Sequence, residues 1–294
     1  MSILTELPEL PDTAKVMTTH HPDGLTPDML EVCRITRQVP VHAERTDDTQ
    51  LTSLTSHAES SGLSLTVTSS RIHSDKDGTI RDHYDPVAEP AKIWPDLMRL
   101  AGEVKRIRDV WDGPINWLFD WEHFVVTPES ADTVAAIFHY SQYRVLHAFP
   151  QANIEWYGFG WHPADVVLGY KKYNWYVDDV WDRQSSSLYF GPQIGQHRDI
   201  LEQHGPNVTA WLSPGSYYRP FTNAWGYKYE TGTEYEIGYS YREGRMIFDP
   251  WMRHPDRVAR YGPHGTLDRV VLYGVHLPNF VEHFAAMAKG ATDG

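Results

Sequence analysis

Short runs of apolar and β-branched residues recur along the chain. Between them lie either segments whose apolar positions return every three to four residues or long connections. Alternation at period two marks half-buried strands and a period near 3.6 marks amphipathic helices, so the pattern predicts parallel strands joined by helical crossovers. Strands are expected over residues 15–20, 39–44, 64–70, 115–121, 153–159, 186–191, 208–213 and 270–275. Helices are expected over residues 26–38, 49–60, 91–110, 131–148, 196–204 and 278–289. Thr26 before Pro27 reads as an N-cap followed by proline at the first helical position, and Ser130 stands in the capping position of the fourth helix. Eight strands with interleaved helices predict an α/β fold, a (β/α)8 TIM barrel over residues 14–294, complete or distorted, behind a loosely held arm of residues 1–13. An open doubly wound sheet is the alternative.

Two connections are too long for simple turns, residues 160–185 after the fifth predicted strand and 214–269 after the seventh. In a barrel both would rise from the C-terminal face, where such enzymes build their sites. They carry Trp175, Trp181, Trp225 and Tyr227 among many other aromatic residues, which argues against disorder. These side chains are expected to fold over the mouth and present a ligand surface, since rings on connections serve binding more often than core packing.

Composition narrows the class. The chain has 294 residues, 41% hydrophobic and 22% charged, with 11 Trp and 17 Tyr. No stretch approaches the roughly 20 apolar residues of a membrane span, so no membrane partner is expected. The formal net charge of −13, with no concentrated basic patch, excludes nucleic acid as an expected partner. The N-terminal segment, acidic and proline-containing, has no export-signal pattern, so a cytoplasmic protein, or one released without a signal peptide, is expected. The single cysteine, Cys33, falls in an apolar-periodic stretch and is expected in the core. No G-x-G-x-x-G, P-loop or G-x-S-x-G occurs, and no cofactor is expected. Asn207-Val-Thr209 matches a glycosylation acceptor that, without an export signal, is a chance match. The sequence sets no oligomeric state.

The segment richest in chemistry is Ile115-Asn-Trp-Leu-Phe-Asp-Trp-Glu-His123, an apolar strand ending in two carboxylates two residues apart. Period two places Asn116, Leu118, Asp120 and Glu122 on one side and Trp117, Phe119 and Trp121 on the other. Two carboxylates within about 6 Å cannot both ionise freely, so one holds its proton to higher pH and serves as a general acid. The bland alternative is an acid pair that caps the next helix or meets an arginine. A retaining glycosidase with a protein nucleophile needs a second acid about 5–5.5 Å away, commonly on a late strand. Residues 208–213 hold none, and Glu155 on the fifth strand is expected to lie too deep. The adjacent pair therefore points to a substrate-assisted mechanism, in which the substrate's 2-acetamido oxygen attacks the anomeric carbon. Glu122 would protonate the leaving oxygen and Asp120 would orient the acetamido group, with Trp121, Tyr157, Trp211 and His21 contributing to a carbohydrate-binding surface.

The Phe119-Asp-Trp-Glu122 strand end resembles the D-W-E signature of the hyaluronidase family and, more loosely, the D-x-E ending of chitinase-type barrels. Trp156-Tyr-Gly-Phe159 is similar to that family's W-G-Y-Y segment, residues 181–189 with Gln-Ser-Ser-Ser to its run into the sixth strand, and Val271-Leu-Tyr-Gly274 to its V-L-W-G. The likeness runs in patches from about Ile115 to Gly274. It implies a glycoside hydrolase barrel with Glu122 as acid and Asp120 as the acetamido-orienting carboxylate. Tyr189 would be a tyrosine near the sugar, and Tyr273 would stand where the family has a tryptophan walling the subsite. The chain departs from the family in having one cysteine and a charge that repels anionic glycosaminoglycans. A lysozyme-like barrel with a D-x-E strand end would meet an N-acetyl group in peptidoglycan, so the substrate feature common to these readings is an N-acetylhexosamine.

Two alternatives belong beside this one. His20, His21, His73, His162 and His276 fall at or after strand ends and suggest a metal-dependent barrel hydrolase. The expected His-x-His on the first strand and acid on the last are missing, so no metal ligand is assigned. A carbohydrate-binding barrel without catalysis would also use an aromatic mouth, but it has no need of Glu122 beside Asp120.

Overall fold

The computed structural model describes residues 14–17, 25–70, 84–121, 123–124, 129–156, 184–187, 208–212, 221–222, 228–229, 239–242, 245–248, 266–267 and 270–273, and places side chains within 25–155. The fold is α/β with parallel sheets, and it divides into two compact units, Val39–Ser185 and the combination of Met1–Gln38 with Ser186–Gly294. Each of the eight segments read as strands overlaps one, that over 186–191 by only two residues.

In the first of these units the sheet order is β2-β3-β4-β5, from Gln38–His42, Ser64–Ser70, Ile115–Asp120 and Asn153–Trp156. Strands β3, β4 and β5 run parallel, with Leu65 opposite Ile115, Ser70 opposite Asp120, and Leu118 opposite Glu155. The Ala43 N–H donates to the Thr68 carbonyl at 2.9 Å, the parallel spacing that sets His42 beside Thr68. Trp111 leads into β4 by folding its indole over Gly113, where a Cβ would lie 2.5 Å from a ring carbon.

The helices between these strands form where their caps and faces dictate. Helix α2, Asp48–Ser61, opens with a reciprocal capping box between Asp47 and Gln50 and closes on Gly62 in the left-handed region. Helix α3, Ile93–Arg108, follows a 3-10 turn at Pro90–Lys92; Pro95 is tolerated because first-turn N–H groups have no intrahelical acceptor. Helix α4, Ala131–Ala148, has the predicted bounds, but Ser130 is helical at φ −97° and ψ −8° and makes no side-chain capping bond. The expected Ser130 cap is thus corrected, since a capping hydroxyl reaches back to the first turn from an extended backbone.

The helix-facing side of the sheet is a layer of rings. Trp117, Phe119, Trp121 and Phe138 are essentially fully buried, with Phe119 edge-on to Trp121 at 5.4 Å and Trp121 against Phe138 of α4 at 6.3 Å.

In the second unit the sheet order is β1-β13-β7-β6, with β1 Ala14–Met17, β6 Gln184–Ser187, β7 Val208–Leu212 and β13 Val270–Tyr273. Strand β13 is parallel to both β1 and β7. The connection after β7, read from sequence as a loop, contains an antiparallel pair, β8 Phe221–Thr222 with β9 Lys228–Tyr229. It also holds an antiparallel sheet of β10 Tyr239–Arg242, β11 Arg245–Phe248 and β12 Thr266–Leu267. Helix α1, Pro27–Thr36, begins as expected, the Thr26 hydroxyl accepting from the Met29 N–H with proline in the first turn. Among the described residues no helix is long and apolar enough to cross a membrane. The arm 1–13 and the expected helices 196–204 and 278–289 lie outside the described residues.

Two outcomes follow. Phe138→Ala should cost about 3–5 kcal/mol in urea unfolding, because a fully buried ring leaves a cavity, whereas Tyr143→Ala, 61% exposed, should stay within about 0.5 kcal/mol. Cys33 is fully buried, and burial pushes its thiol from 9.0 up to about 12, a backbone hydrogen bond opposing weakly. A disulfide reagent at pH 8 should therefore find no reactive thiol in the folded chain and one after urea is added. The unfolded thiol ionises first, so its stabilising contribution is complete below about pH 9 and declines between 9 and 12 as pH rises.

Candidate functional site at the end of strand β4

Alternation along β3, β4 and β5 sorts their side chains by chemistry. One face carries Leu65, Val67, Ile115, Trp117 and Phe119, while the other carries Thr66, Thr68, Ser70, Asn116, Leu118, Asp120, Asn153 and Glu155. This second face is buried although most of its residues are polar, so hydrogen bonds must replace water there. The Asn116 amide donates to Thr66 Oγ1 at 3.0 Å and its carbonyl accepts from Asn153 at 3.4 Å. Two layers higher, the Ser70 hydroxyl donates to Asp120 Oδ2 at 3.2 Å, with Asp120 only 1% exposed. Thr68 Oγ1, fully buried between these layers, has no hydrogen-bond partner among the described residues.

His42 ends β2 on this polar face. Its Nδ1 accepts the backbone N–H groups of Glu44 at 3.3 Å and Arg45 at 3.0 Å, which fixes the neutral tautomer with its proton on Nε2. The turn after it is tied down by Arg106 of α3, whose guanidinium donates to the carbonyls of Ala43 and Thr46 and pairs with Asp48 at 2.7 Å.

The predicted site residues divide as follows. Asp120 stands at the C-terminal end of β4 on the polar face, as the alternation implied, and is buried instead of open. Trp121 faces the opposite way, into the ring layer, where its indole N–H donates to Ser69 Oγ at 3.2 Å. That places Trp121 in the core, away from the surface on which sugar binding was expected. Glu155 is buried at the Leu118 level, as deep as the sequence suggested. Trp211 and Tyr273 lie within β7 and β13. Glu122, His21, Tyr157, Trp175, Trp181, Tyr189, Trp225 and Tyr227 lie outside the described residues.

Sequence reading missed a set of polar residues behind the site. Asp96 and Glu103 occupy the buried stripe of α3 with Leu100, Val104 and Ile107. Glu103 Oε2 accepts the Ser69 hydroxyl at 2.7 Å, and Asp96 Oδ2 meets both the Tyr84 hydroxyl and His123 Nε2 at 2.8 Å. The available signal was an acid recurring at seven-residue spacing inside an otherwise apolar helical face. Among the described residues no group of three or more His, Cys, Asp or Glu side chains is arranged to hold a metal ion.

No protein-family model matches the sequence, and no curated protein matches it. Among solved structures, a β-N-acetylhexosaminidase is similar at TM-score 0.48 and 7% identity, over 97% of this chain and 72% of that one. The spore cortex-lytic enzyme SleL of Bacillus megaterium QM B1551 is similar at TM-score 0.49 and 9% identity, over 97% of this chain and 75% of that one. Likeness at this level assigns neither an activity nor a residue role to this chain.

Ser69→Ala removes an acceptor from the Trp121 indole and a donor from Glu103 within the buried layer. It should destabilise the chain by about 1–3 kcal/mol in chemical denaturation, whereas Ser60→Ala on the exposed side of α2 should be near neutral.

Proposed function

We propose that the chain is a glycoside hydrolase that cleaves next to an N-acetylhexosamine by a substrate-assisted, retaining mechanism. The observation that carries the reading is the setting of Asp120: a buried carboxylate at the C-terminal end of a parallel strand, accepting one serine hydroxyl at the head of a polar sheet face. A helix-capping role does not account for it, because α4 begins with Ser130 at its cap position, ten residues further on. Trp121 and His123 both turn into the ring layer, their rings 5.9 Å apart, so the alternation that put Asp120 on the polar face is kept beyond the strand. In the proposed arrangement Glu122, the intervening residue, joins Asp120.

Each residue's task follows from its chemistry. Asp120, oriented by Ser70, holds the acetamido N–H so that its carbonyl oxygen lies beneath the anomeric carbon. Glu122 donates its proton to the glycosidic oxygen as that bond breaks and the oxazoline ring closes. The same residue then deprotonates the water that reopens the ring, which returns the original anomeric configuration. Trp175, Trp181, Trp225 and Tyr227 are proposed to stack on apolar sugar faces. For the fold we propose a (β/α)8 barrel. Its support is the neighbour order within each sheet, above all the pairing of the last strand, β13, with the first, β1.

The test is a reducing-end assay of purified protein on chitin, peptidoglycan, hyaluronan and neutral glycans. Cleavage of an N-acetylhexosamine polymer is expected, with Glu122→Gln lowering kcat by about 10²–10⁴ while binding and fold persist. Asp120→Asn should be comparably harmful and non-additive with it. Full activity of Glu122→Gln, or equal turnover of sugars lacking the 2-acetamido group, would refute the mechanism.

A further inference from the structure

The two residues that flank Glu122 in the chain are both tethered to helix α3. Trp121 donates its indole N–H to Ser69 Oγ at 3.2 Å, and Ser69 in turn donates to Glu103 at 2.7 Å. His123 meets Asp96 directly, Nε2 to Oδ2 at 2.8 Å, and the Tyr84 hydroxyl donates to the same oxygen at 2.8 Å. With Asp96 ionised, the same Oδ2 accepts from both groups, the Tyr84 hydroxyl and an Nε2–H of His123.

The backbone is held as well. The Tyr84 N–H donates to the His123 carbonyl at 3.0 Å, and Tyr84 forms a parallel bridge with Phe124. Around the imidazole, Phe124 lies at 4.1 Å, Tyr84 at 5.5 Å and Trp121 at 5.9 Å between ring centroids. Tyr84, Asp96, Glu103, Trp121 and His123 are all buried. Asp96 and Glu103 are seven residues apart on one helix, about 10 Å along its axis at roughly 1.5 Å per residue.

Burying two carboxylates in an aromatic layer is unfavourable unless each receives donors, and leucine would fill the same stripe without that requirement. What the acids supply and leucine cannot is direction: Asp96 orients His123 directly, and Glu103 orients Trp121 through Ser69. We propose that Asp96 and Glu103 are positioning residues for Glu122, acting through His123 and through Ser69 and Trp121. This inference rests on the hydrolase reading above. General-acid transfer needs the proton within hydrogen-bond reach of the leaving oxygen, so loosening either tether lengthens that approach and slows the step without altering substrate affinity.

The test separates proton donation from general damage. Full-length protein is assayed on N,N′-diacetylchitobiose, whose sugar leaving group needs a proton, and on 2,4-dinitrophenyl N-acetyl-β-D-glucosaminide, whose phenolate does not. Asp96→Asn, His123→Phe and the milder Tyr84→Phe should lower kcat on the disaccharide about 10- to 100-fold with KM within about twofold, and change the first-turnover release of dinitrophenolate, which precedes Glu122's base step, less than about threefold. Glu122→Gln should show the same leaving-group dependence more strongly. A core variant distant from this network, Leu54→Ala, should affect both substrates equally. If Asp96→Asn fails to fold, Tyr84→Phe decides, since its ring keeps the packing and loses only the hydroxyl. Equal losses on both substrates, or none, in the α3 and Tyr84 variants would overturn the positioning role while Glu122→Gln keeps its dependence. A Glu122→Gln variant without that dependence, or a wild type inert on both sugars, would overturn the hydrolase reading and this inference with it.

Discussion

Two carboxylates set among tryptophan and phenylalanine rings impose a condition on everything near them: each must be met by donors whose own positions are then no longer free. Asp96 takes Tyr84 and His123; Glu103 takes Ser69, which accepts from Trp121. Helix α3, the end of β3, the segment entering α3 and the residues after β4 are thereby joined by bonds that have directions, where ring packing alone would leave several arrangements close in energy. Such directional bonds are what a candidate site that must hold its atoms still would require of the layer behind it.

The opposite face of the same sheet follows another logic. Thr66, Asn116 and Asn153 form one hydrogen-bonded polar layer, and Ser70 with Asp120 forms another two levels up. β3 and β4 are parallel and in register over six residue pairs, from Leu65 with Ile115 to Ser70 with Asp120, and the Thr68, Leu118 and Glu155 layer lies between the amides and the carboxylate. Directional support thus comes from Ser70 beside Asp120 and, on the far face, from α3.

Periodicity made the strands and helices legible because it depends only on which positions meet the core. Residues 64–70 and 131–148 needed no tertiary information, and β4 was read from its alternation alone. Pro27 and Thr26 announced α1 through local chemistry. Asp120 was legible for the same reason as its strand. Trp121 was legible as an outward residue but was assigned to sugar on the strength of its neighbours, whereas an odd-numbered position on β4 belongs to the helix-facing layer. Asp96, Glu103 and Tyr84 were hidden because their partners lie 27, 34 and 12 residues away, distances that a local pattern does not encode. The short strands after β7 escaped notice because pieces of two to four residues carry too few periods to be seen.

The division of β4 into Asn116, Leu118 and Asp120 on one side and Trp117, Phe119 and Trp121 on the other also acts as an error check during folding. A slip of one residue against β3 would turn Asp120 into the rings and drive Trp117 and Phe119 among the threonines and asparagines. Both faces would fail together, one through a stranded charge and the other through volume that does not fit. Misaligned chains therefore find no shallow resting place. The amphipathic strand that arranges a candidate site in the finished protein also makes its own misassembly short-lived.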